Sequence, residues 1–406
     1  MVEIKGKYNS AKVFTENIEP ECFNQIKEIL NCQAFAGEKI RIQPDCHTGA
    51  NCVVGYTQTY SDKIVPNLVG VDISCSMSYV TIPEIDLQAL DAVINQFIPA
   101  GANIHKAGKL PNKISKQVDN LLRKLIVPLN DDAVSRILNS AGTLGGGNHF
   151  IEVDKSVETG QWYLVIHSGS RNLGLQICKY WQGKAISELK NNKYGVADLI
   201  EQLKREGRES EINAEVAKIK NQNRDIPNEL AFLSGAEMNG YLHDMQIADE
   251  FAALNRRTMI EIIFSKMNIP THKLKIFTTK HNYIDQEHKI LRKGAISAYA
   301  DEEVLIPMNM RDGSLICVGK GNADWNYSAP HGAGRIMSRS EAKELITLEE
   351  FQKSMAGIYT SSVNEGTIDE SPMVYKPARE IENLIGATVE VKEHLKPLYN
   401  FKAGGV

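Results

Sequence analysis

Short stretches rich in apolar residues, separated by polar turns, mark the first part of this 406-residue chain. Between residues 38 and 82 they predict four strands, because β-branched and aromatic residues lie between turn residues: KIRIQP, NCVVGYTQTY, KIVPNLVGVDI and CSMSYVTI. Two further apolar runs, HFIEV and WYLVIHS, each border a turn rich in glycine or serine. The C-terminal third adds short strands at LKIFTTKH and SLICVGKG.

Other regions repeat their apolar residues at helical spacing. They predict helices over about 86–98, 114–126 and 131–140, a helix over 241–267 opened by His243 and Asp244, and a long helix near 378–398. Residues 200–225 are densely charged and indicate a solvent-exposed helical excursion. Nothing forces a domain boundary, so we expect one α+β body over residues 1–406.

Composition excludes several classes of protein. Hydrophobic residues make up 42% and charged residues 24%, which is ordinary for a globular chain. The net charge of -4 excludes a uniformly basic nucleic-acid coat, so any RNA or DNA contact needs a local basic patch. The first residues lack the apolar core of a signal peptide, and no run is long enough to span a bilayer. We therefore expect a cytoplasmic protein whose seven cysteines are reduced.

The segment Gly70-Val71-Asp72-Ile73-Ser74-Cys75 contains a candidate pair of metal ligands. In a strand Asp72 and Cys75 would face opposite ways, so they can share an ion only if the chain turns after Asp72. Serines at 74, 76 and 78 favour such a turn. Taken alone, the pair is more typical of a buried free cysteine beside a turn aspartate.

Four histidines strengthen the metal interpretation, because each stands where a predicted strand meets a turn or a small-residue segment: His149, His167, His281 and His331. A single histidine there is more often a structural hydrogen-bonding group, but four beside a D-x-x-C pair favour a metal site. A thiolate can bridge two ions. Thiolate and imidazole prefer zinc, iron or cobalt to manganese on general grounds, so the ligands alone leave the metal open.

Glycine-rich turns and nearby cations indicate an anionic substrate. GGGNH and HGAGR would let backbone amides approach a phosphate, although no GxxxxGK[ST] loop is present. Cations stand in or near such turns at Arg171, Lys293, Arg335, Arg339 and Lys376. Together they favour a phosphate-bearing substrate, although each by itself fits ordinary surface charge.

The motifs together resemble the RtcB family of GTP-dependent RNA-splicing ligases. The matching segments are PDCHTGANCVVG, VGVDISCSM, GTLGGGNHFIEV, IHSGSRNLG, KHNYI, RKGAISA, SAPHGAGRIMSR and VYKP. They keep the family's order and span residues 44–377. The resemblance implies a single-body α+β fold, with mixed sheets around a central metal and nucleotide cleft.

The resemblance also implies roles for individual residues. One manganese ion would be held by Asp72, Cys75 and His149, and a second by Cys75, His167 and His281, with zinc or cobalt as substitutes. His331 would be the nucleophile that becomes guanylylated. The GTP contacts would be Asn148, His149, Phe150, Ile151, Glu152, His281, Asn282, Pro307, Met308, Asn309, Met310, Ser314, His331, Gly332, Ala333, Gly334 and Lys376.

The implied reaction joins an RNA 3′-phosphate or 2′,3′-cyclic phosphate to a 5′-hydroxyl, in RNA repair or tRNA splicing, by a monomeric enzyme without a membrane partner. One loop differs from the family pattern, PGSMG followed by a serine: Met308 and Arg311 stand where glycines are usual. The difference keeps two alternatives open, namely a metal-dependent phosphoesterase acting on RNA ends and a non-catalytic binder of RNA ends.

Overall fold

The computed structural model describes residues 1–190, 196–224, 226–271 and 274–404. Its strands are β1 Val2–Lys5, β2 Ser10–Val13, β3 Ile40–His47, β4 Val54–Thr59, β5 Lys63–Ile64, β6 Ser76–Ile82, β7 Phe150–Ser156, β8 Trp162–Ser168, β9 Leu233–Ser234, β10 Phe277–Lys280, β11 Tyr283–Asp285, β12 Ile290–Lys293, β13 Ala295–Ser297, β14 Glu303–Asn309, β15 Gly313–Gly319, β16 Ser328–Pro330 and β17 Val389–Lys402.

The α-helices in the same residues are α1 Pro20–Leu30, α2 Pro66–Val69, α3 Leu87–Phe97, α4 Asn112–Leu122, α5 Asp131–Leu138, α6 Arg171–Lys190, α7 Val196–Arg205, α8 Ile212–Arg224, α9 Gly235–Lys266, α10 Arg339–Leu345, α11 Leu348–Ser354 and α12 Ala378–Ile385. Within the described ranges, none of them combines the length and the apolar character that a bilayer crossing requires.

Two large mixed sheets organise the chain, which confirms the predicted α+β class. One has six strands in the order β1-β2-β3-β4-β12-β11, and the other has seven in the order β10-β6-β8-β7-β17-β15-β14. The ribbons β13-β16 and β5-β9 add two strands each. Helix α9 packs against β8 and against α3, α4 and α6, and its buried residues Met259, Ile260 and Ile263 share a core with the seven-stranded sheet.

Most predicted elements are confirmed, and the strand predicted from WYLVIHS keeps its bounds as β8. The predicted excursion over 200–225 is helical as α7 and α8, with its last residue outside the described ranges. The strand predicted from KIVPNLVGVDI is wrong, because Pro66 begins the short helix α2 after only two strand residues. The helix predicted over 241–267 is confirmed, but it begins six residues earlier, at Gly235.

The long helix predicted near 378–398 is wrong in its second half. Helix α12 ends at Ile385, and β17 begins at Val389. Val389, Val391, Leu395 and Tyr399 recur at even spacing, which is the period of a strand. Since β17 lies between β7 and β15, it makes ladders on both sides, and this pairing outweighs the helix-forming Glu and Lys residues.

One histidine of β17 connects three parts of the fold. His394 Nε2 lies 3.0 Å from a carboxylate oxygen of Glu382 in α12, and its Nδ1 lies 2.7 Å from one of Glu158, in the turn between β7 and β8. Hydrogen bonds to Glu382 and Glu158 raise the pKa of His394 above its ordinary value.

Candidate active site

The ends of four neighbouring strands bring the predicted metal ligands together. In the order β10-β6-β8-β7, Lys280 pairs with Ser76, Ser76 with Ser168, and Phe150 with His167. Cys75 immediately precedes β6, His281 follows β10, His149 precedes β7, and His167 is the last residue but one of β8. Because the four strands are in register, these side chains share one edge of the sheet.

The turn that Asp72 and Cys75 need in order to meet is present. Ser74 has φ of 55°, in the left-handed region, and its N–H donates to the carbonyl of Asn282 at 2.9 Å. The Cys75 N–H donates to the Asp72 carbonyl at 3.3 Å, and the His281 N–H to the Cys75 carbonyl at 2.9 Å. The chain therefore bends between the two candidate ligands and is anchored to the segment that carries His281.

The donor atoms form two groups that share one thiol. Asp72, Cys75 and His149 make one group, and Cys75, His167 and His281 make the other, with ligand atoms within 4.8 Å of one another in each. Cys75 Sγ lies 3.3 Å from His149 Nε2 and 3.1 Å from His167 Nε2. An Asp72 oxygen lies 3.2 Å from His149 Nε2, and the Nε2 atoms of His167 and His281 are 3.3 Å apart.

The outer ring nitrogens show how these donors fit a cation. His149 Nδ1 lies 2.9 Å from the Leu144 carbonyl and His167 Nδ1 lies 3.1 Å from the Asn148 carbonyl. A carbonyl accepts a proton from Nδ1, so the lone pair of each Nε2 is left facing the cluster. Lone pairs that converge at such distances repel one another unless a cation lies between them. The thiol, imidazole and carboxylate donors present here are ligands that suit such a cation.

Burial and mutual charge shift the ionisation of the cluster. Burial, followed by the neighbouring histidines, lowers the pKa of His167 and of His281 well below the ordinary value. Burial and the charge of Asp72 raise the pKa of the Cys75 thiol. Although burial alone would raise it, the charge and hydrogen bond of His149 bring the pKa of Asp72 below its usual range.

His331 lies beside this cluster but is held by a different group. Its ring centroid is 4.9 Å from that of His281. One oxygen of Asp45, in β3, accepts from His331 Nδ1 at 2.7 Å and from the His331 backbone N–H at 3.1 Å. Asp45 is fully buried, whereas 15% of the His331 side chain is exposed. The carboxylate therefore fixes one face of the imidazole and leaves Nε2 free of it.

A cavity of about 1050 Å³ opens over His331 and His167. Of the residues predicted to contact a nucleotide, it is lined by Asn148, Phe150, Glu152, Pro307, Met308, Asn309, Met310, His331, Gly332, Ala333 and Gly334. The structure thus gathers three separate predicted segments around one space large enough for a nucleotide.

The other six residues of the predicted nucleotide set do not line this cavity: His149 and His281 lie in the donor cluster, and four lie elsewhere. Ile151 is packed into the core of the seven-stranded sheet, and Asn282 accepts the Gly294 N–H at 2.7 Å. Ser314 is buried in β15. Lys376 is 4% exposed, and its Nζ donates to the carbonyls of Pro44 and Cys46, at 3.0 Å each.

In the loop 307–314, the residues that replace the usual glycines have unstrained backbone conformations. Neither Met308 nor Arg311 has a positive φ, whereas Gly313 has φ of 77°. Met308 is 4% exposed and packs in a core cluster while also bordering the cavity. The Arg311 guanidinium donates to both carboxylate oxygens of Asp312, at 2.8 and 3.1 Å, so its charge is already paired.

Several residues of the site carry signals that the sequence reasoning missed or only partly used. Asp45 lies within PDCHTGANCVVG but received no role, because 286 residues separate it from its partner histidine. Lys402 lines the cavity but was assigned no role, because the strand β17 that places it there was not predicted. Arg335 and Arg339 line the cavity as well, and Arg339 pairs with Glu370 at 2.6 Å.

Two donor groups that could each hold a metal ion lie beside a carboxylate-bound histidine, and this histidine and the donor His167 both line a cavity large enough for a nucleotide. Such a site is typical of enzymes that use a metal ion on a phosphate-bearing substrate. Comparison with known proteins narrows the class. The family described as tRNA-splicing ligase RtcB matches residues 25–403, and the chain belongs to this family.

Individual relatives agree over nearly their whole length. The chain is 28% identical to the RNA-splicing ligase RtcB of Escherichia coli K12, over 94% of each chain. It is 25% identical to the tRNA-splicing ligase RtcB of Methanococcus maripaludis, over 94% of this chain and 90% of the relative.

Proposed function

We propose that the chain is an RNA ligase that joins an RNA 3′-phosphate or 2′,3′-cyclic phosphate to a 5′-hydroxyl, using GTP and two manganese ions. The observation that carries the proposal is His331, whose ring is bound by Asp45 and lies 4.9 Å from a histidine of the donor cluster. A buried carboxylate on one ring nitrogen is how an imidazole is prepared to react through the other. Family membership adds RNA ligation as the activity named for the relatives.

Asp72, Cys75 and His149 would hold one ion, and Cys75, His167 and His281 the other, so the thiolate would bridge them. Bound ions would neutralise charge on phosphate oxygens and favour departure of pyrophosphate. The chain's own contribution is a rigid set of donors, because carbonyl groups orient His149 and His167 and the turn at Ser74 aims Cys75.

In the first step, His331 Nε2 would attack the α-phosphorus of GTP. A nitrogen–phosphorus bond forms, the bond to the bridging oxygen of the β-phosphate breaks, and pyrophosphate leaves with that electron pair. The imidazole becomes positively charged as the bond forms. Asp45 stabilises this charge through the hydrogen bond to Nδ1, so the proton remains between Nδ1 and the carboxylate.

In the second step, an oxygen of the RNA 3′-phosphate attacks the phosphorus of the guanylylated histidine. The nitrogen–phosphorus bond breaks, and GMP is now linked to the RNA through a pyrophosphate bridge. The RNA 5′-hydroxyl then attacks the 3′-phosphorus, loses its proton and releases GMP. A 2′,3′-cyclic phosphate first adds water and opens to the 3′-phosphate.

Three residues that border the cavity favour the proposal that a guanine nucleotide binds beside His331. Glu152 is 2% exposed, borders the cavity and accepts a hydrogen bond from Asn400. Burial raises the pKa of Glu152 and of the neighbouring Asp154. Phe150 presents a ring on the same strand, and Asn148 is exposed at its start. Lys376 would act from outside the cavity, since its two carbonyl contacts hold the backbone on either side of Asp45.

Covalent labelling tests the proposal. The protein incubated with α-labelled GTP and manganese should become labelled in a histidine, and His331→Ala should abolish the label. His288→Ala is the matched control, because His288 is an exposed histidine that contacts neither the cluster nor the cavity. Failure of the wild-type chain to be labelled with manganese, zinc or cobalt would overturn the guanylylation step.

A metal-dependent phosphoesterase is the second candidate, and the 307–314 loop favours it. Since Arg311 is paired with Asp312, this loop provides no free cation for a triphosphate. RNA with a 2′,3′-cyclic phosphate separates the two functions. A joined product supports the ligase, whereas opening to a 3′-phosphate without joining supports the phosphoesterase.

A further inference from the structure

Four lysines form an unpaired basic track beside the candidate active site. Lys106, Lys109, Lys113 and Lys116 are all exposed. Within the described part of the chain, their ammonium groups have no hydrogen-bond or ion-pair partner. Residues 103–124 contain six basic residues and one acidic residue, in a chain whose net charge is -4. The lysine track is therefore a local exception to the acidic character of the whole molecule.

These lysines lie on ordered segments of the chain. On α4, Ile114, Val118 and Leu121 are buried and the helix packs against α9, so Lys113 and Lys116 occupy the outward face. Before the helix, the Lys109 N–H donates to the Lys106 carbonyl at 3.1 Å, which closes a turn. Lysines on a folded element lose less conformational entropy on binding than lysines on a flexible tail do.

The track begins where the chain touches the turn that carries a candidate metal ligand. His105 Nε2 lies 3.1 Å from the Gly142 carbonyl, and the Gly101 N–H donates to the Gly145 carbonyl at 2.8 Å. His149 is held by Leu144, which lies between those two glycines. Since consecutive Cα atoms are about 3.8 Å apart, these few residues and hydrogen bonds place the start of the track within roughly 20 Å of the donor cluster.

Nearby acidic groups do not cancel this charge. Asp119, the one acid of the segment, is paired with Arg123 at 2.8 Å, beyond the track. Asp131 and Asp132 begin α5, but the opposite end of that helix approaches the track, because the His105 N–H donates to the Asn139 carbonyl at 2.9 Å.

We propose that the lysine track binds the sugar-phosphate backbone of the RNA strand outside the active site. This inference rests on the proposed function for the identity of the polymer. Exposed, unpaired ammonium groups neutralise phosphates without reading bases, so the contact is independent of sequence. It gives long RNA an affinity that a short end lacks, because the first few nucleotides occupy only the cavity.

The test replaces all four lysines by glutamine and measures binding of a single-stranded RNA of about 20 nucleotides with a 3′-phosphate, from 50 to 200 mM salt. Each lost phosphate contact lowers the salt slope by about 0.7 on a single strand, so four contacts make the wild-type affinity fall about 50-fold more than the variant's over this range. The matched control replaces four other exposed lysines, Lys155, Lys179, Lys204 and Lys396, and keeps the wild-type slope.

Two further measurements separate this inference from the proposed function. Labelling by α-labelled GTP without RNA should be equal in wild type and the track variant, and a dinucleotide 3′-phosphate should bind both equally. An unchanged salt slope in the four-lysine variant would overturn the proposal that the track binds RNA. An equal loss of affinity for the dinucleotide and for the long RNA would overturn it as well. If the wild type binds long RNA through the track but is never labelled, the guanylylation step fails and the track stands.

Discussion

Replacing Asp45 by asparagine tests how the carboxylate acts on His331. Both hydrogen bonds from His331 go to one carboxylate oxygen, and the other oxygen is buried without a partner. In Asp45→Asn the amide oxygen must face His331, because the amide nitrogen would point a donor at two donors. The imidazole therefore keeps its position and tautomer, and what it loses is the negative charge.

The size of that loss follows from the distance. A carboxylate and a full positive charge about 4 Å apart attract by about 4 kcal/mol at an effective dielectric constant of 20. With roughly half of the charge developed in the transition state, the loss is about 2 kcal/mol, or about a 30-fold slower guanylylation.

Single-turnover labelling with α-labelled GTP measures the rate, and Glu19→Gln is the matched carboxylate-to-amide control on the cavity wall. Asp45→Ala should be slower than Asp45→Asn, because it also removes the acceptor that orients the ring. Metal content should stay at the wild-type value in all three variants. A rate for Asp45→Asn within about twofold of wild type, or equal rates for the alanine and asparagine variants, would refute the electrostatic role.

Other predictions concern the cluster, a glycine and a surface histidine. Cys75→Ala should lose both metal ions in elemental analysis, whereas Cys317→Ala, a buried thiol elsewhere, should keep them; two retained ions in the first variant would exclude the bridge. Gly294→Ala should lower the free energy of unfolding by more than Gly207→Ala does, because both glycines have positive φ but only at Gly294 would a Cβ overlap a side-chain atom of Val54. Equal losses in the two variants would contradict this. The raised pKa of His394 means that its protonated form favours the folded state, so its stabilisation is complete below the ordinary pKa and is lost as pH rises through the raised one. The unfolding temperature of His394→Gln should therefore lie further below that of the wild type at pH 6 than at pH 8.5. A difference in unfolding temperature that does not depend on pH would contradict this.

The sequence predicted the donor cluster better than the cavity around it. Cys75, His149, His167 and His281 stand at or next to strand ends, and in-register strands bring such ends together, so local pattern was sufficient for these four. Asp72 precedes β6 and joins them through the turn at Ser74, where the predicted strand is wrong. The role of each residue came from the family resemblance, since spacing alone cannot divide five donors between two ions.

Contacts between distant segments could not be predicted from local pattern. Nothing in the chain near Asp45 shows that it will meet His331, and nothing near Lys376 shows that it will bind the backbone of β3. The error at β17 has a similar cause. Glu390, Lys392 and Glu393 favour a helix in isolation, and the two neighbouring strands that stabilise an extended chain lie far away in sequence.

The place of β17 also bears on how the molecule is synthesised. The last strand of the described chain lies inside the seven-stranded sheet, with β7 on one side and β15 on the other. Until residues 389–402 leave the ribosome, β7 and β15 each present an open edge, and such edges invite pairing with other chains. The five candidate metal ligands would thus be synthesised long before the strand that closes the sheet.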